Sequence, residues 1–85
     1  MSARPRQAEA VEVSPVEDGF IVYDPVRDRV HHLNQTAAVV FELCTGEIDS
    51  DEIVRLVQAG YGLAQTPAAA VDACLAQLRE EGLVV

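Results

Sequence analysis

The sequence predicts an α+β fold of winged-helix-like order, a three-stranded antiparallel sheet followed by three helices. Three observations carry this. The hydrophobic pattern changes from a period of two to a helical period at Asn34. Turn residues divide the part before Asn34 into short extended runs, and the part after it splits into three stretches with their own start and stop residues.

Residues 1–10 are polar around Pro5 and read as a flexible tail, leaving residues 11–85 as one domain. Val11, Glu12, Val13 and Ser14 alternate apolar and polar, as a half-buried strand does, and Pro15 ends or edges that strand because it cannot donate to a ladder. Asp18-Gly19 marks a turn. Phe20, Ile21, Val22 and Tyr23 form a second strand that is apolar on both faces. Asp24-Pro25 opens another turn, Asp28 helps to close it, and Arg29, Val30, His31, His32 and Leu33 form the third strand.

Asn34 is an N-cap residue, and Leu33 with Ala38 suits a hydrophobic staple. Residues 36–45 are apolar almost all round, which places the first helix centrally, and Gly46 is expected to end it in the left-handed region. The second helix starts at Asp49 or Ser50, with Asp49 and Glu52 spaced as a capping box and Asp51 adding favourable charge. Ile53, Leu56, Val57 and Gly60 give its apolar face, and Gly60-Tyr61-Gly62 stops it. Thr66 and Pro67 open the third helix as N-cap and first helical residue. Val71, Cys74, Leu75 and Leu78 form its core stripe, Gly82 caps its end, and Leu83, Val84 and Val85 must pack back on the body.

Composition narrows the function. With 85 residues, 49% of them hydrophobic, and no Trp, the chain supports one modest aliphatic core. A cofactor-binding catalytic pocket would have to be carved from it, so an enzyme is not expected, nor a cofactor. Acids outnumber bases 14 to 6, for a net charge of −8, which disfavours nucleic acid and anionic membranes alike. Met1 to Gln7 is polar with no apolar stretch after it, and no run approaches the ~20 apolar residues of a membrane span. The cytoplasm is the expected compartment. Cys44 and Cys74 lie in helical apolar patterns and read as buried reduced thiols, with a disulfide as the second reading.

The residues able to carry chemistry are few. His31 and His32 are adjacent on a strand and point to opposite faces, so they cannot chelate one metal together, and no metal site is expected. No nucleophile, base and orienting group are spaced for catalysis, and no Gly-rich loop follows a strand. Asp49-Ser50 is similar to the modification site of acyl carrier proteins, which would make Ser50 a phosphopantetheine attachment point. Asp51 stands where carriers have an apolar residue, and helix capping explains the pair without modification.

Asp18-Gly19-Phe20-Ile21-Val22-Tyr23-Asp24-Pro25, then Val30-His31-His32-Leu33-Asn34-Gln35-Thr36-Ala37-Ala38, followed by Phe41-Glu42-Leu43-Cys44-Thr45-Gly46, strongly resembles the PqqD-like family. The resemblance extends from Val11 to the closing Leu83-Val84-Val85. It implies a leader-peptide recognition element of a pathway that modifies ribosomally made peptides, of which pyrroloquinoline quinone synthesis is the type. It further implies that the precursor's leader adds as a strand to the edge of the third strand, against the third helix, and is held for a separate modifying enzyme, often a radical S-adenosylmethionine enzyme. Carried over by position, the peptide-binding residues are Val30, His31, His32 and Leu33 on the strand and Asp72, Leu75, Ala76 and Arg79 on the helix. The alternatives from other classes are the carrier protein modified at Ser50 and a winged-helix regulator, which the charge resists.

Overall fold

Two tight turns fold the first part of the chain into a meander. The structure, a computed structural model, describes residues 4–62, 64, 65 and 67–85. Strands β1 (Glu12–Val16), β2 (Gly19–Asp24) and β3 (Arg29–Asn34) pair antiparallel in the order β1-β2-β3. Helices α1 (Gln35–Leu43), α2 (Ser50–Tyr61) and α3 (Ala68–Glu80) follow, so the α+β order is as expected.

Gly19 fixes the first turn. Its φ of 150° suits a residue without a side chain, and a β-carbon there would stand 1.8 Å from the Leu33 carbonyl oxygen of the paired strand. The second turn is organised by two aspartates. Asp24 is buried, and its Oδ1 accepts the amides of Val26 at 3.0 Å and Arg27 at 3.3 Å. Asp28 takes a positive φ of 52°, which Asp tolerates better than most residues, and accepts the Tyr23 hydroxyl at 3.0 Å.

β1 corrects the expectation of a half-buried strand, since all five of its residues are exposed. It is an edge strand, and Pro15 sits within it opposite Phe20, a position that needs no ladder donor on its free side.

Asn34 and Asp49 cap α1 and α2 as expected, accepting the amides of Ala37 and Glu52 at 2.9 Å each. The capping box at α2 is one-sided, because the Glu52 carboxylate turns to Arg55 at 2.9 Å from Nε. α1 stops at Leu43, short of Gly46, because an extended N-terminal segment claims the backbone there. The Gln7 amide donates to Cys44 at 3.0 Å, Gln7 Nε2 to the Phe41 carbonyl at 3.0 Å, and Gly46 to Pro5 at 2.9 Å. Of the residues expected as a flexible tail, 5–8 are therefore tied down: Pro5 is buried, and Arg6 and Val85 exchange backbone bonds of 3.0 and 2.7 Å.

On α2 the buried face is Ile53, Val54 and Val57, whereas Leu56 and Gly60 are exposed. The rotation follows from α2 packing on both α1 and α3. On α3, Thr66 lies outside the described residues, and Pro67 is the cap residue, so the helix begins one residue later than expected. Val71, Leu75 and Leu78 are buried, with Cys74 half-buried beside them. Gly82, at φ 75°, turns the chain so that Leu83 and Val84 return to the core. That core is aliphatic around Phe41, with Val22, Val40, Ile53 and Leu78 fully enclosed. Among the described residues no helix is long and apolar enough to cross a membrane.

Candidate functional site

The sheet has two outer edges, and they differ. Pro15 denies β1 a donor in mid-strand, while β3 carries no proline. The free edge of β3 is therefore the better acceptor for another strand.

The register sorts the β3 side chains. His31 lies opposite Val22, and Leu33 opposite Phe20, so both point to the helical side. Leu33 is buried in the core. Val30 and His32 point the other way: Val30 is 66% exposed, and His32 Nε2 meets Asp18 Oδ1 at 3.3 Å at the surface.

Both β3 and α3 pack on α1, and no backbone approach joins β3 to α3 directly among the described residues. Strand and helix are joined instead through α1, on which both pack, and through side chains beside Glu81. His31 Nδ1 meets Glu81 Oε2 at 2.5 Å and Arg27 Nη1 donates to the Glu81 carbonyl at 3.2 Å, while along the helix itself Gln77 Nε2 donates to Glu81 Oε1 at 3.3 Å. Thr36 on α1, Val57 and Tyr61 on α2, and Pro67, Ala70 and Val71 at the start of α3 surround an apolar pocket of about 230 Å³ between the helices.

These contacts identify the flank of α3 turned to β3. Ala70, Cys74, Gln77 and Glu81 recur at three- and four-residue spacing and so share one face. Burial raises the pKa of the Cys74 thiol, and the negative charge of Glu81 raises it further, as this shared face requires. Asp72, Ala76 and Arg79, taken from the sequence as groove residues, are exposed and lie roughly on the opposite side of the helix at about 100° per residue. The structure does not bring them to the strand. Leu75 is buried in the core between the two flanks. Cys74, Gln77 and Glu81 lie on the other flank, and their spacing from Ala70 is present in the sequence as a second, more polar stripe.

His31 stands out chemically. Its side chain is 12% exposed, and Nε2 is buried without a hydrogen-bond partner. Leaving such a group unpaired costs about 1–3 kcal/mol. No hydroxyl or thiol reaches that nitrogen, so the Glu81–His31 dyad activates no nucleophile among the described residues. Nor do three His, Cys, Asp or Glu side chains converge on a metal site there. Cys44 and Cys74 are free thiols. Cys44 Sγ donates to the Val40 carbonyl at 3.2 Å, and burial pushes its pKa up to about 11, with Cys74 adding to the rise and Arg79 opposing it. Ser50, the carrier candidate, is the half-buried first residue of α2 behind its Asp49 cap.

A winged-helix-like domain with an open sheet edge, joined to the end of its third helix by side chains, is the class of protein this arrangement defines. The sequence pattern of the family described as Coenzyme PQQ synthesis protein D (PqqD) matches residues 19–84, and the chain belongs to the PqqD family. No curated protein matches it in sequence. Among solved structures it is similar to "Lasso peptide synthetase B1 complexed with the leader peptide", with a TM-score of 0.80 and 20% identity over 98% of this chain and 99% of that one. At that identity the likeness is one of fold.

Proposed function

We propose that this domain binds the leader segment of a ribosomally made precursor peptide by strand addition to the free edge of β3, and holds it for a separate modifying enzyme. The observation that carries the reading is the unpaired outer edge of β3, joined to the end of α3 through His31 and Glu81. Main-chain bonds to β3 would supply affinity, and the flanking side chains specificity. The solved relative of the same fold was captured with a leader peptide, and family membership points the same way.

On the strand, Val30, His31, His32 and Leu33 supply the edge, Leu33 through its backbone. On the helix, Cys74, Gln77 and Glu81 with Ala70 take the place of Asp72, Ala76 and Arg79. The domain performs no reaction in this reading, and its partner is a separate peptide-modifying enzyme. The net charge of −8 favours approach of a basic leader and opposes nucleic acid.

The test is an amide-resolved NMR titration with short peptides encoded beside the gene. Saturating shifts along β3 and at Ala70, Cys74 and Gln77 are expected, with Asp72, Ala76 and Arg79 little changed. Shifts centred on β1, or none with any neighbouring peptide, would sink the proposal.

A further inference from the structure

The geometry points to a second docking surface, a cleft under the β1 side of the sheet that fits a partner protein presenting a basic amphipathic helix. Among the described residues no helix packs on β1, and within the sheet α1 packs on β2 and β3. By register Val13 lies opposite Val22 and Pro15 opposite Phe20, so both side chains face the helical side, yet both stay exposed. Beside them a cleft of about 250 Å³ lies between the β1–β2 hairpin and the face of α1 that carries Gln35, Ala38, Val39 and Glu42. Phe20 and Val39, both half-buried, and the 41% exposed Val16 give the cleft its large apolar groups. It is smaller than the ~300–1,000 Å³ of a small-molecule site and suits anchoring side chains rather than a whole ligand.

Charge selects the occupant. The basic residues are Arg4, Arg6, Arg27, Arg29, Arg55 and Arg79, so the hairpin of β1 and β2 carries none, and neither does α1. The charged groups that line the cleft are the exposed carboxylates of Glu17 and Glu42. Apolar anchors at helical spacing, flanked by Lys or Arg, match both the apolar lining and these two acids. An added strand is a poorer occupant, because Pro15 removes a donor from the β1 edge. A second copy of the chain is poorer still: α2 and α3 carry one Arg each, and Arg55 on α2 is paired with Glu52. β1 and β3 are opposite edges of the sheet, so a partner held under β1 leaves the β3 edge open.

The test is an amide-resolved NMR titration of the labelled domain with a synthetic Leu–Lys peptide of about four turns, its leucines at helical spacing. A peptide of the same composition with that spacing scrambled controls for charge alone. A double variant, Glu17→Lys with Glu42→Lys, reverses both cleft charges at exposed positions, and its amide spectrum establishes that it is folded. The single Glu42→Lys variant carries the same test should the pair disturb the hairpin. Saturating shifts are expected at Phe20, Gln35, Val39 and Glu42, with Val30 and His31 little changed. Binding should be about fivefold weaker for the scrambled peptide and about tenfold weaker for the double variant. Equal binding of the two peptides, shifts spread over the acidic start of α2, unchanged affinity in the charge-reversed protein, or no saturating shifts would each overturn the docking surface.

Discussion

Arg27 lies across Gly82 so closely that a β-carbon on the glycine would stand 1.3 Å from Nη1. The same nitrogen donates to the Glu81 carbonyl, so the β2–β3 turn and the end of α3 are locked at this point. Gly82→Ala should cost about 1–2 kcal/mol from its left-handed backbone alone, and more because Arg27 must move. A fall in Tm of about 5–15 °C is expected for a domain of this size. In an Arg27→Ala background the glycine substitution should cost less. Equal costs in the two backgrounds would mean that the contact does not form in solution.

Proline scanning of β3 gives a parity test. In an antiparallel edge strand, alternate amides point to the neighbouring strand and to the open side. Proline at Val30, His31 and His32 in turn should therefore unfold the domain at one parity and leave it folded at the other. Folded variants should lose peptide binding by roughly tenfold, since they lack a donor on the open side. A folded variant that binds normally would move the peptide away from this edge.

Cys44 gives the domain an alkaline weakness. Its thiol is raised from an ordinary value of 9.0 to about 11 in the folded chain. Below pH 9 the thiol is protonated in both states. Between pH 9 and about 11 the unfolded chain loses the proton first, so stability falls as pH rises, by on the order of 2 kcal/mol over the window. Denaturant melts at stepped pH should show this slope in the wild type and a shallower one in Cys44→Ala, where Cys74 still contributes and whose overall stability is lower because of the cavity.

Cys74 should be the informative thiol for binding. It is half-buried on the α3 flank that faces β3, and its raised pKa makes it slow rather than inert at neutral pH. Maleimide should label it well before Cys44, and a bound peptide should protect it at least severalfold. Labelling that ignores a saturating peptide would remove Cys74 from the groove.

The sequence was most legible where one residue decides local structure. Asn34 and Asp49 cap the helices they were expected to cap, and Asp18-Gly19 and Asp24-Pro25 make the two turns. His31 and His32 diverge as strand geometry requires. What could not be read was rotation about α3. Val71, Leu75 and Leu78 define the core stripe by their period, but a stripe has two flanks, and periodicity does not say which one meets a strand placed more than thirty residues earlier. Asp72, Ala76 and Arg79 were placed at the groove because they lie on one flank of that stripe, while Cys74 was assigned to the stripe itself. The N-terminal segment was missed for a different reason. Its bonds go to Phe41, Cys44, Gly46, Leu83 and Val85, so nothing within the segment itself records its order.

The mutual backbone bonds of Arg6 and Val85 make the domain, topologically, almost a ring. Joining these two residues through a short loop would close a circle with little entropy left to lose, and the exposed turn at residues 25–28 then becomes a natural place for new ends. It also follows that neither end is a neutral handle. A partner fused through a short tether at either end emerges from the same corner of the molecule, so the fold sets where such a partner starts and the tether sets only how far it reaches.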